Sequence, residues 1–459
     1  MKIKYLITDG LIVTVDKERR IIEEGAIAIE GKTIRDVGKA EEMIKKYTPE
    51  RIINARNKVI LPGLIDSHMH LTNEGPRGFV PDNIAAIPWL TGWIIPISNI
   101  LKPEDEYYLA MNAVIEMVRT GTTTFFEAGT LKYLQSGADV VERTGIRGVI
   151  GRRTLDVARS KDSAVESTEQ ALKAIREMLE KFHGRANGRI QTWVSLAGTG
   201  TASDRLLVEA KEIADGAGVG LNMHQSMVSE EVEDYVQRVG KRPIEHFEDL
   251  GILDKNVRLV HMIDVNEKEI ALLKKYDVKV IHCPTTALKL GYGATKIGKF
   301  PEMIQEGICV SLGCDGPNCS NHFDMGVAMY LVAGIYKDSR MDVNLIPAEM
   351  AIEMATINGA RSMLMEDQIG SIEIGKKADL ILLNTQYPGW VPLINVVNNI
   401  VYSAGFKNVD TSIVDGEIIM ENGELKNIDE FQVYERVQSI SEEITKRSGF
   451  PLIRRWKHI

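Results

Sequence analysis

Followed as a pattern of apolar and polar positions, the chain changes character twice. Over residues 1 to about 60, short apolar runs alternate with polar positions between turn residues: 11–15 before Asp16, 26–29 before Gly31-Lys32, then Ile52-Ile53 before Val59-Ile60. A period of two punctuated by Gly, Asp and Asn predicts antiparallel strands. From about residue 58, β-rich runs are separated by segments with helical spacing. Eight such runs stand out, at 59–70, 122–127, 148–152, 190–196, 220–224, 257–262, 279–283 and 308–315. Between them, Leu109, Ala113 and Met117 after Pro103, and Ile270 and Leu273 before Tyr276, recur at three and four residues, as one face of a helix does. Eight βα units over about 250 residues match a (β/α)8, TIM-like barrel, an α/β fold with its chemistry at the C-terminal ends of the strands.

Beyond the eighth run, helical patterns cover 325–335 and 347–364, residues 370–383 return to a strand pattern, and 411–423 reads as a hairpin about Asp415-Gly416. Residues 431–446 have the spacing of a closing helix. The expected organisation is a small β-sandwich domain built from both chain ends (1–58 with 368–425), the barrel at 59–367, and a closing helix within 426–459.

Composition narrows the function. The 459 residues carry 55 Lys+Arg against 64 Asp+Glu, a net charge of -9, with no basic block, so nucleic acid is not an expected partner. Asp9 interrupts the first apolar run too early for a signal peptide, and no later run is long enough to span a bilayer. The expectation is a cytoplasmic enzyme acting on a small molecule, without a membrane partner and open to homo-oligomer assembly. Four cysteines, Cys283, Cys309, Cys314 and Cys319, fall late and without Cys-x-x-Cys pairing, which fits reduced thiols.

Candidate chemistry begins with Gly63-Leu64-Ile65-Asp66-Ser67-His68-Met69-His70. Alternation along a strand puts His68 and His70 on one face and Met69 on the other. His-x-His alone is a weak signal, but His224, His261, His282 and Asp315 fall at the ends of the fifth to eighth runs. Three neutral imidazoles and a carboxylate can hold one divalent ion, Zn2+ first and Fe2+ second, and leave a position for water. Water bound there ionises near neutral pH. Glu127 ends the second run and faces the same mouth, with a salt bridge to Arg152 or Arg153 as the plainer alternative. Residues 71–101 form a long insert holding Phe79, Trp89, Leu90, Trp93 and Ile94, either a cap on the mouth or packing for the outer helices. Trp89 and Trp93 are its candidate substrate contacts. Cys314 and Cys319, close to Asp315, read as inert buried thiols. His246-Phe247-Glu248 matches half of the cytidine-type deaminase signature, but the required Pro-Cys-x-x-Cys is missing and that class is excluded.

Several longer motifs, spread over most of the chain, carry a resemblance. They are Leu61-Pro62-Gly63 leading into His68-Met69-His70, Arg77-Gly78 with Trp89-Leu90, Gly121-Thr122-Thr123-Thr124, His282-Cys283-Pro284 with Leu288-Lys289-Leu290, and Leu312-Gly313-Cys314-Asp315-Gly316. In these the chain resembles the amidohydrolase superfamily, in the branch of nucleoside- and guanine-type deaminases and triazine hydrolases. The resemblance implies that His68, His70, His224 and Asp315 bind one metal, that Asp315 takes a proton from the attacking water, and that His261 polarises water or substrate; His282, at the end of the seventh run, is a further candidate substrate contact. Binuclear members use a carboxylated lysine on the fourth strand. Here that strand reads Gln191-Thr192-Trp193-Val194-Ser195-Leu196, which implies a single metal.

One departure bears on the reaction. Deaminases of this branch carry His-x-x-Glu at the third metal histidine, and this chain reads His224-Gln225-Ser226-Met227. Glu230 and Glu231 follow, where they are expected to open the next helix. Ring deamination needs an acid for the ring nitrogen, whereas an amide, urea or carbamate sends charge to an oxygen that metal or His261 can stabilise. The expectation is therefore hydrolysis of a non-peptide C–N bond in an uncharged, hydrophobic amide, urea or carbamate. The alternatives are a deaminase of a cyclic amidine such as a purine, pterin or triazine, with Glu127 or water as the acid, and a triazine-type dechlorinase. A non-catalytic barrel scaffold is disfavoured by the complete ligand set. A second departure, Thr285-Thr286-Ala287 in place of a serine-asparagine pair, puts further substrate contacts in question.

Overall fold

The computed structural model describes residues 1–454, 456 and 457. Its centre is a closed barrel of eight parallel strands. Leu64–Met69, Thr122–Glu127, Arg147–Ile150 and Ile190–Thr192 pair in that order, and Val194–Leu196, Leu221–Gln225, Val257–His261, Lys279–His282 and Val310–Leu312 continue it. The fourth strand is two pieces separated by Trp193. The indole of Trp193 lies where a side chain at 220 would be, so that position must be glycine, and it meets Phe126 edge-on at 5.5 Å. The ring closes where the Asp315 N–H donates to the His68 carbonyl at 2.8 Å. Every residue of the first two strands is buried, as expected of parallel strands with helices outside and side chains filling the axis.

Both chain ends supply the second domain. One hydrogen-bonded sheet contains five N-terminal strands (Lys2–Val13, Ile21–Glu30, Thr33–Lys39, Thr48–Asn54, Lys58–Pro62) and four C-terminal ones (Leu380–Asn384, Val409–Val414, Glu417–Glu421, Glu424–Leu425). The sheet folds over on itself, because strands far apart in its order share one apolar core of Ile7, Ile12, Ile27, Ile29, Ile34, Ile60, Leu380 and Ile413. Arg147 of the third barrel strand joins the two domains. Its fully buried guanidinium donates to both oxygens of Asp379, at 2.9 and 3.1 Å, and to Asp415 at 3.2 Å.

Some expected elements are shorter. Of 370–383 only the end is strand, since Gly370 and Gly375 take positive φ (88° and 90°) in turns. The helix expected over 347–364 breaks at Ala355-Thr356 into Ala348–Met354 and Ile357–Ser362. The insert takes both of its expected roles. Phe79, Ile97 and Leu101 pack with Leu109 against Ile440 and Ile444 of the closing helix Glu430–Ser448, while Trp89, Leu90 and Ile94 turn into the barrel mouth. Arg455, His458 and Ile459, within the expected closing segment, lie outside the described residues. Among the described residues no helix is long and apolar enough to cross a membrane.

Candidate active site

Four histidines and one aspartate meet at the C-terminal ends of the strands. The His68 ring lies 4.8 Å from those of His70 and His224 and 5.6 Å from that of His261, centroid to centroid. Asp315 Oδ1 is 3.2 Å from His70 Nε2 and 3.6 Å from His68 Nε2, and His224 Nε2 is 3.4 Å from His70 Nε2. Ser226, His261 and Asp315 take positive φ (51°, 77° and 63°), where non-glycine residues are uncommon. The chain holds them there with backbone bonds, including Asp315 N–H to His68 O and Met262 N–H to Gln225 O.

Burial sets the charge states. It pushes His68 down to about 3, His224 well below the ordinary histidine range and His261 below it, so these imidazoles are neutral. His70 is raised, because the Asp315 carboxylate reverses what burial alone would do. Burial would also raise Asp315, but His68 and His70 outweigh it and hold the carboxyl ionised. Beneath them Asp66 accepts from the His68 and Cys314 N–H groups at 3.2 and 3.0 Å, splicing the first strand to the eighth, and burial pushes its carboxyl up to about 7.

These residues fit a divalent cation. Both ring nitrogens of His68 and the Nδ1 atoms of His70, His224 and His261 are buried without a hydrogen-bond partner. Neutral imidazole lone pairs converging beside a carboxylate leave a position for a positive ion and for little else. The donor atoms of His68, His224 and His261 all lie within 4.8 Å of one another, so His261 groups with two of the four expected ligands. A second group, His68, Cys283 and Asp315, meets the same limit. The Cys283 thiol, buried and pushed well above its usual range by that burial, was not anticipated at the site. Cys314 and Cys319 are core residues, with Cys319 Sγ donating to Gly316 O at 2.8 Å.

The site opens into a cavity with about 820 Å3 of empty space, part of it open to solvent. Trp89, Leu90, Ile94, Met227 and Tyr292 give it mostly apolar walls. Trp89 lines it as expected, with a buried Nε1 that has no partner.

Three expected substrate contacts are corrected. Trp93 faces away, packed on Phe79 (5.5 Å) and Phe450 (4.7 Å), where the closing helix and the residues after it offer apolar partners. His282 points out of the barrel, stacked on Phe300 at 3.8 Å with Nε2 3.0 Å from the Tyr336 hydroxyl. Its neighbour Cys283 takes the inward direction, as strand alternation requires. Glu127 neither reaches the cavity nor pairs with Arg152 or Arg153. Fully buried, it accepts from Leu71 N–H (2.6 Å), Gly129 N–H (2.9 Å), Thr130 N–H and the Thr130 hydroxyl (2.6 Å), tying together the loops after the first two strands. Arg152 pairs with Glu166 instead.

Glu231 opens the next helix as expected, but its side chain also reaches the site, a role not assigned to it from the sequence. It is the third residue of Ser229–Val239, but its 7% exposed carboxylate turns back to line the cavity. There it accepts from Met227 N–H and the Thr199 hydroxyl, both at 3.2 Å, and pairs with Arg159 at 2.6 Å. Its spacing of four from Met227 is the one sequence signal that pointed to it. Thr285 and Thr286 are buried and bonded to Cys314 O and Cys319 Sγ, and neither lines the cavity.

Residues 59–419 match the model of the amidohydrolase family. A 5-methylthioadenosine/S-adenosylhomocysteine deaminase of Thermoanaerobacter pseudethanolicus is 33% identical over 442 residues, covering 96% of this chain and 99% of its own. A 5'-deoxyadenosine deaminase of Methanobrevibacter smithii is 32% identical over 444 residues, covering 96% and 98%. Among solved structures, an adenosine deaminase from Xanthomonas campestris with bound zinc has a TM-score of 0.90 at 25% identity, over 97% of this chain and 99% of that one. An atrazine chlorohydrolase from Arthrobacter aurescens TC1 complexed with zinc shares the fold, with a TM-score of 0.86 at 20% identity over 95% and 100%. The barrel with its added domain, the cluster at its mouth and these matches together place the chain in the amidohydrolase family, as an enzyme that hydrolyses carbon–nitrogen bonds other than peptide bonds.

Proposed function

We propose that the protein is a mononuclear metal-dependent hydrolase that cleaves the C–N bond of an amide, urea or carbamate with a hydrophobic body. His68, His70, His224 and Asp315 would hold the ion, Zn2+ before Fe2+, with His261 beside it. When bound, a divalent ion supplies Lewis acidity and makes water acidic enough to ionise near neutral pH. Asp315 takes one proton from the attacking water as its oxygen bonds to the carbonyl carbon. His261 lies beside the forming oxyanion and stabilises it. As the C–N bond breaks, its electron pair stays on nitrogen and Asp315 returns the proton there, so no second acid is required.

Met227 carries this reading. It lines the cavity where a deaminase of this branch has its acid, and a thioether cannot protonate a ring nitrogen. Trp89, Leu90 and Ile94 support a hydrophobic substrate. A second reading, deamination of a purine-type ring, is favoured by Glu231 at the cavity wall and by the deaminase relatives. Metal-loaded protein tested against matched amides, ureas and carbamates, and against aminopurines, aminopterins and chlorotriazines, separates these readings by amine, ammonia and chloride release. Ammonia from a ring amidine with no turnover of any carbonyl compound would overturn the first.

A further inference from the structure

Tyr292 brings a hydroxyl to the cavity that no described residue engages. It follows the short helix Pro284–Lys289, behind the seventh barrel strand, and is flanked by Gly291 and Gly293 at positive φ (66° and 84°). Glycine takes that conformation without steric cost, so the chain can reverse there and aim Tyr292 inward. The Tyr292 N–H donates to Ala287 O at 2.9 Å, which pins the turn to the helix. The residue is 3% exposed, lines the cavity with His261, Asp315 and Glu231, and stands edge-on to the His261 ring at 5.7 Å. Its Oη is buried without a hydrogen-bond partner among the described residues. Histidines apart, Trp89 Nε1 is the other such atom on the side chains that line the cavity, and of the two Tyr292 is the one packed against His261. A phenol is a donor at neutral pH, and burial pushes Tyr292 further towards the protonated form.

We propose that the Tyr292 hydroxyl donates a hydrogen bond to the atom of the reacting group that gains negative charge, the carbonyl oxygen of an amide, urea or carbamate. The choice of that atom rests on the reading above, whereas the donor rests on the cavity being the substrate site. The carboxylates on the same walls are already engaged, Glu231 by Arg159, the Thr199 hydroxyl and Met227 N–H, and Asp315 by His68 and His70. An acceptor for Tyr292 therefore arrives with the substrate. A bond donated to an oxygen strengthens as that oxygen becomes charged, so it is worth more in the transition state than in the bound substrate and acts chiefly on kcat. Tyr292 then shares the stabilisation of the oxyanion with His261.

The test compares metal-loaded wild type with metal-loaded Tyr292→Phe, because phenylalanine keeps the ring against His261 and removes the hydroxyl alone. On the accepted substrate kcat should fall about 100-fold while KM stays within about threefold, as when a donor to a developing oxyanion is lost. Replacing the carbonyl oxygen of that substrate by sulfur, a poor acceptor, should bring the two proteins close together. Without substrate, the thermal midpoint of Tyr292→Phe should equal or exceed that of wild type, since the variant no longer buries an unpaired hydroxyl. A loss confined to KM overturns the donor, as does an equal loss on the oxygen and sulfur compounds, which would place the hydroxyl on another atom. A lowered midpoint would give it a structural partner in the protein and overturns it too. Carbonyl compounds turned over at equal rates by both proteins would leave the carbonyl reading standing without the donor. A comparable loss of kcat on ring amidines, with carbonyl compounds inert in both proteins, would keep the donor on a ring nitrogen and remove the carbonyl reading.

Discussion

Replacing Glu127 with glutamine tests whether this buried acid is a structural clamp. Its carboxylate takes four hydrogen bonds from two loops, with Leu71 N–H on one oxygen and Gly129 N–H, Thr130 N–H and the Thr130 hydroxyl on the other. Glutamine keeps one oxygen and turns the other into a donor. In the cheaper orientation the amide nitrogen faces Leu71 N–H, because the Thr130 side would place it against two backbone N–H groups. That leaves one buried donor unsatisfied, a cost of about 1–3 kcal/mol, and removes the ionic character of the remaining bonds, each worth about 1.5–3 kcal/mol when the acceptor is charged. Glu127→Gln should lose ~3 to 5 kcal/mol, read as a lowered urea midpoint by tryptophan fluorescence with an unchanged slope. A midpoint within ~1 kcal/mol of wild type would refute the clamp. If such a stable variant were also inactive, Glu127 would be the missing acid after all.

His68→Ala should copurify without stoichiometric metal and be inactive, and full occupancy by metal analysis would count against the ligand set. His261→Ala should lose ~100- to 1,000-fold in rate with its metal retained. Because the His261 donor atom lies within 4.8 Å of those of His68 and His224, loss of metal would make it a ligand instead. Glu231→Gln should keep the rate within about tenfold if Asp315 alone handles the proton, whereas a loss nearer 1,000-fold in ammonia release would favour ring deamination. Arg147→Met leaves Asp379 buried without its ionic partner and takes one of three cations from Asp415, and should destabilise by about 3–5 kcal/mol in urea. Burial raises the Asp415 carboxyl, but Arg147, Lys32 and Lys377 more than reverse this and hold it below the ordinary range. Its stabilising contribution is thus present above the unfolded value of ~3.9 and lost as pH falls through the lower folded value. The acid-unfolding limb below pH ~4 should flatten in the variant.

What local pattern could determine, it did. Period two and helical spacing located the eight strands and the helices between them, because burial of a strand or helix face is written into neighbouring residues. The residues that meet at the barrel mouth, His68, His70, His224, His261 and Asp315, were legible because parallel strands all present their C-terminal ends on one side. Alternation also required His282 and Cys283 to face opposite ways. Which of them faced inward depended on Phe300 and Tyr336, on helices that follow in the chain. Trp89 and Trp93 look alike in sequence and were separated by Phe450, far away in the chain, which drew one of them outward. Glu231 opens its helix as the sequence suggested, but only Arg159 and Thr199, on loops after the third and fourth strands, hold its carboxylate at the cavity. Among the described residues Arg153 has no carboxylate partner, because Glu166 went to its neighbour Arg152 and loop amides took Glu127. Partner choice of this kind is a competition among groups distant in sequence, decided by which of them the fold brings within reach, and only the tertiary structure contains that information.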